Sequence, residues 1–284
     1  MELYYFKGSP GMTNFGDELN PWMWKRLIPE IFEIADDAIF VGIGTLINDR
    51  VPKARHIIVF GSGVGYGPKP DAIDCSWHIY CLRGPLSVKA LGLSSDLAIT
   101  DPAVLVRNLV TSTPPLKTHR RAYMPHWQCA NPALEKVCNS AGLAFIDPRW
   151  EVDRVISEIQ KTEVLITEAL HGAIVADTLG VPWIPIKTRE HILLSKWEDW
   201  CASIEIEYQP VRILPMWGEL PHGASLQRRM RNRAKSYAVV MQLRRVSASS
   251  SPILSERTKM ERLVGELERK LDELRLHIKS GKFG

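Results

Sequence analysis

A chain of 284 residues that is 45% hydrophobic and 24% charged excludes intrinsic disorder and accommodates one large domain or two small ones. The net charge of +4 divides unevenly: residues 225–284 hold 15 Lys and Arg against 6 Asp and Glu, the residues before them 21 against 26, so the tail is expected to meet something acidic. Five cysteines without a C-x-x-C pair imply no zinc site and fit a reducing compartment, and with neither a secretory leader nor an apolar run of membrane-spanning length a cytoplasmic protein is the expectation.

In chain order, residues 3–6, 38–43, 57–60, 79–82 and 97–100 are apolar runs of strand length separated by helical patterns, the βαβ rhythm of a parallel sheet. Asn14, Phe15, Gly16 and Asp17 lie in the loop after the first run, either as a polar turn or as ligand contacts at a cleft edge. Asn20 followed by Pro21 reads as an N-cap and first helical position for a helix over residues 22–32. Gly61, Gly63, Gly65 and Gly67 follow a strand without the G-x-G-x-x-G spacing, and Pro68 and Pro70 oppose an immediate helix, which excludes a dinucleotide site. The chain also lacks a P-loop and an Asp-x-Asp pair, so neither a phosphate-cradling loop nor a metal-held nucleotide diphosphate is indicated. Arg83, with Gly84 and Pro85, sits at a strand-to-helix corner, where it either pairs with a surface carboxylate or forms a fork for carboxylate or phosphate.

Residues 111–121, with two prolines and no hydrophobic period, read as a linker. A second series follows, with strands at 122–124, 143–146, 164–167, 183–186 and 211–214 and helices at Pro132–Ala141, 152–161 and 172–179. The expected fold is therefore α/β, with two Rossmann-like domains at 1–112 and 113–224 facing a cleft and a helical tail at 225–284.

The stretch from Thr167 to Trp183 carries the most chemical information. Val164, Leu165 and Ile166 form a buried parallel strand, and Ile174, Val175, Thr178 and Leu179 the packing stripe of a helix that Gly180 and Pro182 end. His171 then lies near a strand's carboxyl end and a helix's positive end, with Gly172 beside it, where open α/β sheets bind anions. Lys187 and Arg189, after the next strand, add positive charge to the same edge. His126, in Met-Pro-His-Trp-Gln, ends the first strand of this series in the same way.

In the tail, Leu226, Met230, Ala234, Tyr237 and Met241 fall on one helical stripe, with Arg228, Arg229, Arg231, Arg233 and Lys235 largely elsewhere. Residues 226–245 are thus either a helix for an anionic membrane surface or one packed on its own body. Met260, Val264, Leu267, Leu271, Leu274 and Ile278 step by threes and fours over 260–278, the pattern of a short coiled coil for self-association or of a helix packed on the core.

Taken in order, Asn-Phe-Gly-Asp at 14–17, Phe-Gly-Ser-Gly at 60–63, Arg-Gly-Pro-Leu-Ser at 83–87, Asp-Pro-Ala at 101–103, Leu-His-Gly at 170–172 and Gly-Val-Pro at 180–182 resemble the polysaccharide pyruvyl transferase family over roughly residues 1–215. One departure is Ala169, where many relatives carry arginine two residues before the motif histidine. The resemblance implies a GT-B-like fold and transfer of pyruvate from phosphoenolpyruvate onto two sugar hydroxyls, giving a cyclic ketal and phosphate, with no cofactor and no metal. It implies His171 as the proton-exchanging group, with Arg83 also among the catalytic groups, and Arg83, His171, Gly172, Lys187 and Arg189 at the donor, with Lys196 as a further cation. Asn14, Asp17, His126 and Trp127 are then expected at the acceptor, Asp17 counting also among the catalytic groups. The expected partners are phosphoenolpyruvate and a saccharide, lipid-linked at the inner membrane face, with no nucleic acid. A nucleotide-sugar glycosyltransferase and a non-catalytic assembly scaffold are the alternatives.

Overall fold

The computed structural model describes residues 1–8, 12–34, 37–111, 115–190, 192–216, 223 and 225–283. Its elements are β1 (Glu2–Tyr4), α1 (Phe15–Leu27), β2 (Ala38–Val41), β3 (His56–Phe60), β4 (Trp77–Cys81), α2 (Pro85–Leu91), β5 (His119–Met124), α3 (Pro132–Ala141), β6 (Ala144–Phe145), α4 (Val152–Gln160), β7 (Thr162–Thr167), α5 (Leu170–Thr178), β8 (Trp183–Lys187), α6 (Leu194–Ser203), β9 (Val211–Arg212), α7 (Leu226–Ser249) and α8 (Arg257–Lys279). They form two compact α/β units, each around an all-parallel sheet.

The first unit comprises Met1–Val110, Leu193–Tyr208 and Ser255–Gly284. Its sheet runs β1-β2-β3-β4, and β2 and most of β3 are buried, the continuous apolar composition of strands covered on both faces. The fifth strand expected at 97–100 does not form. Residues Ser95–Leu97 and Pro102–Asn108 are short 3-10 helices, and between them only Ala98 bridges to Leu82.

α1 begins six residues earlier than the Asn-Pro pair predicts. Pro21 lies inside it and leaves the Asp17 carbonyl without its i+4 donor. Asn20 compensates: its Nδ2 donates to the Asp17 carbonyl at 3.2 Å and to the Ile43 carbonyl at 2.9 Å, while its Oδ1 accepts from Ile43 N and from Trp24 Nε1. The asparagine is a buried tie between helix and sheet, and not a cap.

The second unit comprises Thr111–Ile192 and Gln209–Leu254. Its sheet order is β6-β5-β7-β8-β9. β5 starts at His119, inside the stretch read as linker, because Arg121 to Met124 pair in register with Val164 to Thr167. α5 starts at Leu170, so His171 stands in its first turn. Gly180 adopts a left-handed conformation just after it, with Gly180 N bonding the Asp177 carbonyl and Val181 N the Ala176 carbonyl, the glycine stop that the sequence signals.

The tail does not stand apart as the segment 225–284. α7 belongs to the second unit, where it packs on α3 with Val239, Val240, Leu243 and Val246 in the core beside Leu134, Val137 and Cys138. α8 belongs to the first unit, against β4 and the 3-10 helix Pro102–Asn108. Met260, Val264, Leu267, Leu271 and Leu274 of the heptad stripe are buried there, and Ile278, the sixth, is half-buried. That covers the surface on which coiled-coil self-association depended. Among the described residues, no helix is long and apolar enough to cross a membrane.

Candidate active site

In the second unit the order β5-β7-β8 places three loops side by side at the carboxyl edge of adjacent parallel strands. After β5 come His126 and Trp127, whose rings lie 6.0 Å apart. After β7 come Glu168 and then His171, half-buried at the second position of α5, where backbone N–H groups and the helix dipole favour an anion. Thr167 fixes this turn, its Oγ1 donating to the Met124 carbonyl at 3.0 Å and accepting from Ala169 N at 2.9 Å. Gly172 is confined by packing, since a Cβ there would press on Met124 Sδ.

At the end of β8, Lys187 is buried to 4% exposure while its ammonium meets Glu190 at 2.7 Å. Glu190 is exposed and also accepts from Arg212 at 3.0 Å; the hydrogen bond from Lys187 and the charge of Arg212 hold its carboxyl below the ordinary range. Arg189 is half-buried, and its positive charge is felt by Cys129 and by Lys235 of α7. The carboxyl ends of the adjacent strands β7 and β8 therefore carry a histidine and two cations.

Glu168, which sequence reasoning passed over, is the most deeply buried acid here at 1% exposure. It accepts hydrogen bonds from the backbone N–H of Thr188 and of His126 and from Tyr123 Oη, so one carboxylate ties all three loops together. Burial outweighs these bonds and pushes its carboxyl above the ordinary value. With Tyr123, Cys129, Thr188 and Val239 it lines a small cleft.

In the first unit, the carboxyl edge carries the remaining motifs. Asn14 precedes α1, and its Nδ2 donates to Asp17 Oδ2 at 2.7 Å, so the two expected acceptor residues are brought together, both half-buried. Lys196 is half-buried in α6, its Nζ 3.3 Å from Tyr66 Oη. Arg83 is 1% exposed. Of the two roles left open for it, pairing with a carboxylate is the one observed, but the partner is buried: Arg83 Nε meets Asp199 Oδ2 at 3.1 Å, and Nη1 donates to Thr45 Oγ1 at 2.7 Å.

Asp199, from α6, also accepts from Leu86 N at 2.9 Å, Ser87 N at 3.1 Å and Ser87 Oγ at 2.6 Å, and thereby caps the start of α2 from 112 residues away. Two motif glycines answer to this pair. A Cβ at Gly63 would overlap the Arg83 guanidinium, and one at Gly84 would overlap Asp199, so the Gly-Ser-Gly and Arg-Gly-Pro motifs are the walls of a buried ion pair. Its sequence signal was an acid set among Trp197, Trp200 and Cys201, which are themselves buried.

The polysaccharide pyruvyl transferase family matches residues 2–190, which include every one of these loops except the α6 segment. The chain belongs to the polysaccharide pyruvyl transferase family. This polysaccharide pyruvyltransferase is also 40% identical over 216 residues to the succinoglycan biosynthesis protein ExoV of Rhizobium meliloti (strain 1021), an alignment covering 75% of the chain and 68% of that relative. Membership makes the protein an enzyme and removes the non-catalytic scaffold as a reading. Of the pyruvyltransferase motifs, Gly-Ser-Gly and Arg-Gly-Pro-Leu-Ser enclose the Arg83–Asp199 pair, and Leu-His-Gly presents His171 at a helix start.

Proposed function

We propose that the enzyme transfers pyruvate from phosphoenolpyruvate to two hydroxyls of one sugar in an exopolysaccharide repeat unit, forming a cyclic ketal and releasing phosphate. Supporting this reading are the family membership and the relative whose name places it in succinoglycan synthesis. The observation that carries it is the second unit's strand edge, where β7 leads into His171 in the first turn of α5 and the adjacent parallel strand β8 ends in Lys187. A donor bearing both a phosphate and a carboxylate calls for such cations and helix N–H groups. The two α/β units are read as GT-B-like.

In the proposed course, the methylene carbon of phosphoenolpyruvate takes a proton, leaving positive charge on the adjacent carbon, which a sugar hydroxyl attacks as it gives up its own proton. The carbon–phosphate oxygen bond then breaks, phosphate departs, and the second hydroxyl closes the ring as its proton is lost. His171 exchanges protons; Lys187 and Arg189 hold the donor. Asn14 and Asp17, and His126 with Trp127, are the candidates for acceptor contact. Arg83, engaged with Asp199, holds the shape of its loops rather than the donor. Glu190 is the exchangeable counter-ion: an incoming anion replaces its carboxylate on Lys187.

The reaction requires no cofactor beyond the co-substrate. The acceptor is proposed to be lipid-linked and the enzyme to work in the cytoplasm. Thermal unfolding in the presence of each donor tests the donor class: phosphoenolpyruvate is expected to raise the midpoint, by mass action on a folded-state site, and nucleotide sugars are not. The reverse pattern would replace this reading with a glycosyltransferase.

A further inference from the structure

We propose that α7 is a docking surface for an anionic phospholipid bilayer. Residues 226–249 contain seven Lys and Arg and no acid. At about 100° per residue, Leu226, Met230, Tyr237 and Met241 fall within an arc of about 60°. They are 73%, 63%, 68% and 45% exposed, large apolar groups in a row with no cover among the described residues of their own unit. The helix does have a packed face, formed by Val239, Val240, Leu243 and Val246 against α3 and centred about 140° from the stripe; Arg244, the one cation within the arc, reaches back to donate to the Ser140 carbonyl of α3 at 2.7 Å. The helix is thus anchored by one apolar face and presents a second.

The positions of the cations identify the occupant. Arg229 and Arg233 border the exposed stripe on one side, Arg231 and Arg245 on the other, and all four are exposed. This is how an interfacial helix is built: apolar side chains enter the acyl boundary while flanking arginines reach out to phosphate headgroups. A second copy of the same helix would bring like charges together along the whole stripe and is not the complement. Lys235, beside Arg189, is half-buried on the far side of the helix from this stripe and takes no part in the docking face.

Docking is independent of which reaction the enzyme performs, and its test needs no turnover. The full chain is sedimented with vesicles of phosphatidylcholine alone and of phosphatidylcholine with phosphatidylglycerol. Binding is expected only to the anionic vesicles and to weaken as salt rises. The double variant Met230→Asp, Tyr237→Asp, whose sites are solvent-exposed, is expected to melt at the wild-type temperature and to lose at least about tenfold in partitioning. Equal sedimentation with both vesicles, none with either, or full retention by the double variant would overturn the proposal.

Discussion

Asp199 shows how much a single buried carboxylate can organise. It takes one hydrogen bond from Arg83, two from the backbone at the start of α2 and one from Ser87, all within the first unit. Replacing it with alanine strands a guanidinium that is 1% exposed and uncaps a helix, so Asp199→Ala is expected to lower the unfolding free energy by about 3–5 kcal/mol in denaturant titrations. A loss below about 1 kcal/mol would mean that water reaches the pair. Arg83 was conspicuous in the sequence, whereas its partner was not, because nothing local links residues 116 positions apart. Glu168 was missed for a related reason: its donors, Tyr123 on β5, His126 after it and Thr188 after β8, are all at least 20 positions away in sequence. Its raised carboxyl value gives a signed expectation. The folded state holds the proton more tightly than the unfolded chain, whose reference is 4.5, so this group's contribution to stability is full below that value and is lost as pH rises through the folded one. Glu168→Gln is expected to flatten that fall between mildly acidic and neutral pH, measured as unfolding free energy against pH; an unchanged slope would place the titration elsewhere.

At the scale of elements, hydrophobic period and glycine stops marked most strands and helices, and α3 falls on the predicted bounds. The errors share a cause. Asn20-Pro21 has the local form of a cap, but tertiary bonds to Ile43 make it the interior of α1. Residues 97–100 have strand composition, but the flanking 3-10 helices leave room for one bridge. The heptad period of α8 was correct and its partner open, since period alone does not say whether a stripe meets another chain or its own sheet. Leu267 is fully buried in the first unit, so Leu267→Ala is expected to cost about 2–5 kcal/mol. Calorimetry is the check, and a variant as stable as wild type would contradict the packing.

The whole molecule is woven rather than strung. The chain leaves the first unit at residue 110, returns for α6, goes back to supply β9 and α7, and ends with α8 in the first unit. Family membership makes it a polysaccharide pyruvyltransferase. The donor and the ketal are the proposal, and they rest on His171 at the start of α5. The most direct measurement is phosphate release from phosphoenolpyruvate with and without aryl or lipid-linked mannosides, glucosides and galactosides, read with the acceptor's mass, for the wild type and for a folded His171→Ala. Acceptor-dependent phosphate with the mass of one ketal-linked pyruvate is expected, falling by about 10² to 10⁴ in the variant. Unchanged turnover in His171→Ala would remove the histidine from the mechanism, and consumption of a nucleotide sugar in place of phosphoenolpyruvate would contradict the reaction itself.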